Sequence, residues 1–173
     1  MNNITLIGMA GVGKSTIGKL LAKRLGYSFI DVDLLIKKKI GTDLQTFLDT
    51  EGDRALIDIE QGSVLELDLQ PGDRCIISPG GSVVYSEDAM RYLKEISTVI
   101  FLDTSFKNIV RRISDPSSRG LVGLKNMDMK KLYQKRNILY RKYADVTVTV
   151  KAYDRKSVVV AKVIRELEQF RRS

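Results

Sequence analysis

The chain has 173 residues, of which 43% are hydrophobic and 29% are charged, a composition typical of one globular domain. It contains no histidine and a single cysteine, which excludes histidine-based triads, zinc fingers and disulfide scaffolds. The net charge of +8 favours anionic ligands such as nucleotides, phosphorylated metabolites or nucleic acids.

The predicted elements alternate between short apolar runs and longer segments with helical spacing. Gly41 and Gly52 interrupt the second helical segment, and residues 114–126 (SDPSSRGLVGLKN with its first residue Ser114) have no periodicity, so we expect a loop or mobile lid there. The alternation predicts an α/β fold, a parallel sheet with helices on both faces. Strands are expected at Ile4–Ile7, Tyr27–Ile30, Cys75–Ile77, Thr98–Leu102 and Val146–Val150, and helices at Lys14–Leu25, 31–67, 86–94, 106–113, 128–143 and 155–170.

Residues 8–15, GMAGVGKS, match the pattern G-x-x-x-x-G-K-[ST] between a predicted strand and a predicted helix. Glycines allow backbone N–H groups to turn toward phosphates, and the positive end of the following helix points at the same charge. In this P-loop, Lys14 is expected to reach the β- and γ-phosphates of ATP, and Ser15 to ligate Mg²⁺. A glycine-rich turn with a solvated lysine is the structural alternative. The expected nucleotide contacts are Gly8, Gly11, Val12, Gly13, Lys14, Ser15 and Thr16.

Two carboxylates, Asp31 and Asp33, follow the second predicted strand with one residue between them. The carboxyl ends of parallel strands border the crevice where open α/β sheets bind ligands. We expect Asp31 to help hold Mg²⁺ and Asp33 to orient or deprotonate an acceptor hydroxyl, since no histidine is present as a base. The alternative is that one of the two caps the next helix.

With these motifs in view, the sequence resembles the shikimate kinases, small P-loop kinases of the nucleoside-monophosphate-kinase type, almost from end to end. The segments GMAGVGKST and DVD match that family's phosphate loop and paired aspartates. ISPGGS is similar to its acceptor loop, and RRISDPSSRG is similar to the segment that holds an adenine-side arginine and a lid arginine, here Arg112 and Arg119. RNILYRKYAD, starting at Arg136, resembles the pattern whose arginine holds the acceptor carboxylate.

The resemblance implies a three-layer P-loop kinase fold with a five-stranded parallel sheet and a lid at 114–126. It also implies an ATP- and Mg²⁺-dependent kinase that phosphorylates a hydroxyl of a small carboxylated metabolite, shikimate to shikimate 3-phosphate. The acceptor would lie over Gly80 and Gly81, with Arg136 on its carboxylate. Arg119 would close over the transferring phosphoryl group, unless it is a solvated loop arginine.

The departures from the family pattern gather in the acceptor site. The family has a Phe-Arg pair whose arginine helps to bind the shikimate carboxylate, and alignment places Leu56 and Ile57 there. An acid of the family pattern is replaced by Lys37, the glycine triplet ends in Ser82, and the lid's Arg-Pro becomes Arg-Gly. Either Lys37 or Arg54 supplies the missing charge, or the acceptor differs from shikimate.

Two other functions stay open at this point: a kinase for another small hydroxyl acceptor such as homoserine, and a nucleotide-binding module without catalysis. The stretch from Lys130 to Tyr143 has six cationic residues and three tyrosines, which would suit a nucleic-acid surface but is more typical of a solvated helix face. No run approaches the roughly 18 apolar residues that span a bilayer. We therefore expect a soluble, cytoplasmic monomer without nucleic-acid or membrane partners, with Cys75 reduced in the core.

Overall fold

A computed structural model describes residues 2–70, 72–113, 120–124 and 127–172. Its five strands form one parallel sheet in the order β2-β3-β1-β4-β5, with helices flanking the sheet, as expected. The strands are β1 (Asn3–Ile7), β2 (Ser28–Asp31), β3 (Cys75–Ser78), β4 (Ser97–Asp103) and β5 (Val146–Thr149). The helices are α1 (Lys14–Leu25), α2 (Val32–Ile40), α3 (Leu44–Leu65), α4 (Glu87–Ile96), α5 (Phe106–Arg112), α6 (Met129–Tyr143) and α7 (Lys156–Arg172).

The core follows from the apolar strands. Every residue of β1 is buried, because β3 and β4 pair with it on either side and helices cover the sheet. Runs such as CIIS in β3 and STVIFLD in β4 are buried almost throughout, which is typical of central parallel strands. Within the described ranges, no helix has both the length and the apolarity needed to cross a membrane.

The two predicted glycine interruptions are confirmed. Gly41 ends α2 in the left-handed conformation at φ 71°, which a residue with a side chain rarely adopts. Gly52 has φ 85° and ψ 176° inside α3, so this helix consists of two halves joined at a kink. The first half therefore points in a different direction from the second half, which carries Glu60.

Strand pairing determines which loops meet at the site. Asp31, the last residue of β2, is the register partner of Ser78, the last residue of β3. The start of α2 and the loop Pro79–Ser82 therefore emerge side by side, next to the phosphate loop that follows β1. A short 3-10 turn at Val83–Tyr85, which the sequence did not predict, connects this loop to α4.

Candidate active site

A cavity of about 830 Å³ opens at the carboxyl edge of the sheet. Its walls combine the phosphate loop with the start of α2, the second half of α3, the loop after β3 and the inner face of α6. Among the candidate site residues from the sequence, Gly8 and Asp31 do not line it. Those that do are Gly11, Val12, Gly13, Lys14, Ser15, Thr16, Asp33, Lys37, Gly80, Gly81, Arg112 and Arg136. Residues far apart in sequence thus share one site.

The phosphate loop has the backbone that the glycine pattern predicts. Gly8, Gly11 and Gly13 all have positive φ, at 145°, 82° and 107°. A Cβ atom on Gly11 would approach Cγ1 of Ile113 to 2.8 Å, so both backbone conformation and space require glycine there. The loop leads directly into α1, whose first two residues are Lys14 and Ser15.

Lys14 reaches back over the loop, and its Nζ donates a hydrogen bond to the carbonyl oxygen of Gly8 at 2.8 Å. Burial lowers the pKa of Lys14 from its ordinary value, while the negative charges of Asp33 and Glu60 oppose that shift. The ammonium group therefore lies in a poorly solvated position without a close carboxylate partner among the described residues. An arriving phosphate would supply the missing negative charge.

The two aspartates after β2 have different positions. Asp31 is the residue before α2, yet its side chain makes no capping hydrogen bond, so the capping alternative does not account for it. Asp33 lies in the first turn of α2 and lines the cavity, and burial raises its pKa, with Lys14 opposing and Asp31 adding to the shift. Asp33 is therefore the better placed of the two to face an acceptor, whereas Asp31 is not among the residues that line the cavity.

Arg136 is 1% exposed, lies on α6 and lines the cavity. Its Nη2 donates to the carbonyl oxygen of Val122 at 2.8 Å, and its guanidinium lies 5.3 Å from the ring centre of Tyr85. In the described part of the chain no carboxylate forms an ion pair with it. A buried cation without an anion is a strong candidate for binding a carboxylate ligand, because a bound anion would offset its desolvation.

Gly80 and Gly81 allow charged side chains to approach the backbone of the loop after β3. A Cβ on Gly80 would overlap Oε1 of Glu60 and lie 2.9 Å from Oδ1 of Asp33. A Cβ on Gly81 would lie 3.0 Å from Nη1 of Arg136. The glycine pair therefore brings the carboxylates and the guanidinium to adjacent backbone positions on the cavity floor.

We expect Gly80→Ala to lower the free energy of unfolding by about 1–3 kcal/mol, because the added methyl group displaces the buried carboxyl group of Glu60 and the neighbouring carboxyl group of Asp33. Gly62→Ala is the matched control: it lies within α3 with open space around its Cβ position, so it should stabilise the protein by about 0.5–1 kcal/mol. Urea unfolding of both variants measures the difference. Equal stability of Gly80→Ala and wild type would show that the close approach is not present in solution.

The structure distinguishes between Arg54 and Lys37, the two residues considered as replacements for the arginine missing at Ile57. Arg54 points away from the cavity: its side chain is 87% exposed and pairs with Asp58 at 3.0 Å. It therefore does not supply the missing cation. Lys37 does line the cavity, while Ile57 packs in a small apolar cluster with Leu48 and is absent from the cavity wall.

The predicted nucleotide-side and lid residues have different outcomes. Arg112 ends α5 beside the phosphate loop, where its Nη1 donates to the carbonyl oxygen of Val12 at 3.0 Å. Arg119 and most of the predicted lid at 114–126 lie outside the described residues. Of that segment, 120–124 is described, and Gly120 N donates to Oε1 of Gln45 at 2.7 Å, which ties it to the first half of α3.

No role was predicted for Glu60, and Ser82 was named only as a departure from the family pattern, although both residues are buried and line the cavity. A signal for Glu60 was available: it lies four residues after Leu56 and four before Val64, on the buried face of α3. A charged residue on an apolar helix face needs an explanation. The cavity residues that follow β5, which were not predicted either, are Val150, Asp154, Lys156 and Val159.

The basic helix α6 has the arrangement of a solvated face with inward tyrosines. Tyr140 is 1% exposed and donates to the carbonyl oxygen of Gly81 at 2.7 Å, and burial raises its pKa to about 12. Tyr133 donates to the carbonyl oxygen of Thr104 at 2.8 Å. Lys130 and Lys131 face solvent.

Comparisons with known proteins agree with the motifs. The sequence model of the family described as shikimate kinase matches residues 10–168. The chain is 35% identical over 171 residues to a shikimate kinase from Thermodesulfovibrio yellowstonii, covering 98% of this chain and 96% of that protein. Among solved structures, shikimate kinase from Aquifex aeolicus has a TM-score of 0.80 and 30% identity, with 96% of each chain covered. Shikimate kinase from Acinetobacter baumannii in complex with shikimate has a TM-score of 0.83 and 25% identity, covering 98% of this chain and 93% of that one.

Proposed function

This chain belongs to the shikimate kinase family of ATP-dependent kinases, and on that premise we propose that it transfers the γ-phosphoryl group of ATP to a hydroxyl of shikimate, giving shikimate 3-phosphate. One observation carries the proposal. A single cavity is lined both by the phosphate loop and by a buried arginine that has no carboxylate partner in the described residues, together with Lys14 and Asp33. Such a cavity suits a polyphosphate and a carboxylated acceptor together.

At the nucleotide end, the backbone N–H groups of residues 11–15 bind the β- and γ-phosphates, and Lys14 neutralises charge on the group in transfer. Thr16 and Arg112 border the same end of the cavity. Arg112 already holds the loop through Val12, so it positions the loop as well as facing the nucleotide.

The donor set fits Mg²⁺, which prefers oxygen ligands, keeps several waters and is held by few protein groups. The Ser15 hydroxyl lines the cavity at the start of α1, and the Asp31 carboxylate is not used as a helix cap. Ser15 would hold the ion directly and Asp31 would act through water. When bound, Mg²⁺ neutralises negative charge on the phosphates.

At the acceptor end, Asp33 accepts the hydroxyl proton and orients the hydroxyl oxygen for attack on the γ-phosphorus. Arg136 holds the carboxylate and thereby sets which hydroxyl faces the nucleotide. By resemblance, Arg119 belongs to the lid, and its positive charge would stabilise the negative charge on the transferring phosphoryl group. We further propose that the protein acts as a cytoplasmic monomer, as expected from the sequence.

A coupled assay of ADP release tests the proposal, with shikimate and homoserine compared at equal millimolar concentrations. Turnover of shikimate well above the rate without acceptor is the expected result. Efficient turnover of homoserine beside poor turnover of shikimate would favour the other acceptor, for which the loss of arginine at Ile57 is the motive. Absence of ATP consumption in a single-turnover experiment would instead indicate a non-catalytic module.

We expect Arg136→Lys to raise KM for shikimate by about tenfold, with a smaller effect on KM for ATP. Lysine keeps the charge but loses the planar fork that contacts a carboxylate through two parallel hydrogen bonds. Lys131→Met on the exposed face of α6 is the control, since its side chain is 75% exposed. Steady-state kinetics with each substrate varied in turn measure both constants. An unchanged KM for shikimate would remove Arg136 from the acceptor site.

A further inference from the structure

The carboxyl group of Glu60 lies at the proposed acceptor site and has no role in the function proposed above. The residue is 2% exposed, lines the cavity and lies in the second half of α3. Its Oε2 accepts a hydrogen bond from the Ser82 hydroxyl at 2.5 Å. Its Oε1 is buried and has no hydrogen-bond partner among the described residues. Leaving a buried carboxyl oxygen unpartnered is costly, so a partner that binds there is expected.

Charged groups from three helices face this carboxyl. These groups are Asp33 on α2, Lys14 on α1 and Arg136 on α6. The Tyr140 hydroxyl, also on α6, interacts electrostatically with Glu60 as well. Oε1 of Glu60 lies against Gly80, and Nη1 of Arg136 lies against the next residue. A carboxylate that binds Arg136 over the glycine pair therefore arrives close to Oε1.

An ionised Glu60 would repel such a ligand, whereas the neutral acid would attract it. Burial raises the pKa of Glu60 to about 7, with Asp33 adding to the shift and the Ser82 hydrogen bond, Arg136 and Lys14 opposing it. A substantial share of the neutral acid is therefore present near neutral pH. Because Ser82 donates to Oε2, the acid proton belongs on Oε1, the oxygen that lacks a partner.

We propose that Glu60, as the neutral acid, donates a hydrogen bond from Oε1 to the carboxylate of the acceptor, while Arg136 contacts the same carboxylate. The inference rests on the proposed function, because it takes the carboxylate of shikimate as the ligand. Glu60 thereby supplies a second carboxylate contact in a chain where the arginine expected by resemblance is Ile57, which packs away from the cavity wall. Glu60 is a binding residue here and takes no part in the transfer step.

Shikimate binding to the nucleotide-free protein provides the test, measured by isothermal titration calorimetry at pH 6 and pH 8 in buffers with different ionisation enthalpies. The affinity of the wild type should fall about tenfold from pH 6 to pH 8, because only the protonated form of a group with a pKa near 7 binds well. At pH 8, binding should take up most of one proton per protein. The measured heat of binding should therefore depend on the ionisation enthalpy of the buffer.

Glu60→Gln replaces the O–H donor of the neutral acid with an amide N–H donor that does not titrate. We expect its shikimate affinity to be nearly equal at pH 6 and pH 8 apart from any contribution of Asp33, with the proton uptake strongly reduced. Ser82→Ala removes a hydrogen bond that favours the ionised form, so its affinity should fall at a higher pH than that of the wild type. This second variant carries the test if Glu60→Gln does not fold.

Two outcomes would overturn the inference: equal pH dependence and proton uptake in wild type and Glu60→Gln, or a Ser82→Ala profile that moves to lower pH. Both are distinct from failure of the proposed function. That failure would appear as absence of shikimate phosphorylation by the wild type at every pH, whereas the inference fails with shikimate still phosphorylated.

Discussion

Lys14→Met is expected to lower kcat/KM for ATP by about a hundredfold to a thousandfold, the usual cost of removing one group that stabilises charge in the transition state. The Nζ of Lys14 already lies over the loop, 2.8 Å from the Gly8 carbonyl oxygen, and its burial weakens its solvation. In the transition state of phosphoryl transfer, the negative γ-phosphoryl oxygens stabilise the ammonium group that water solvates poorly. Methionine keeps most of the length of the side chain and removes the charge together with the hydrogen bond to the Gly8 carbonyl oxygen.

Lys23→Met, on the exposed side of the same helix, is the control and should leave the kinetics unchanged. The thermal midpoint of nucleotide-free Lys14→Met should equal or exceed that of the wild type, since a poorly solvated cation has been removed. A kinetic loss smaller than tenfold in a folded variant would contradict the role of Lys14.

Asp33→Asn is expected to lower kcat by about a hundredfold to ten-thousandfold, the range typical of losing a general base. Asparagine has nearly the same shape but cannot take the acceptor proton. KM for shikimate should change much less than kcat, because under the proposed function Arg136, which lines the same cavity, holds the carboxylate. The sign of the pKa shift agrees with this role: burial raises the pKa of Asp33, which makes its carboxylate a better proton acceptor.

The matched control is Asp58→Asn, which removes an exposed carboxylate paired with Arg54 on α3. Rapid-quench measurement of the transfer step separates chemistry from product release. A loss confined to KM, with the rate of the transfer step preserved, would make Asp33 a binding residue instead of the base.

Much of the fold was predictable because its signals are local. The apolar run before Gly8 and the helical spacing after Gly13 predicted β1 and α1, whose observed bounds agree closely. The strand predicted at Tyr27–Ile30 is found one residue later, at Ser28–Asp31, because its pairing with β3 begins at Ser28. The 3-10 turn at Val83–Tyr85 was missed, since a single turn has no periodicity to detect.

The site divides in the same way. The phosphate loop could be predicted because one continuous segment carries its whole chemistry. The position of Glu60 against Gly80 could not, because it depends on how α3 packs beside a loop twenty residues further along. The sequence also could not show that Arg54 points away from the cavity. Arg54 lies one helical turn before Ile57 and could have supplied the missing charge, but its side chain is exposed and pairs with Asp58.

The central place of β1 in the sheet bears on how this chain tolerates change. The phosphate loop extends from a strand that is buried along its whole length. The amide protons of this strand should therefore be among the slowest to exchange with solvent. Lys37, by contrast, lies on α2, which follows the edge strand β2, and Ile57 lies on α3, which packs against α2. Under the proposed function, substitutions on these two helices are expected to change acceptor selectivity over evolutionary time without loosening the strand that carries the phosphate loop.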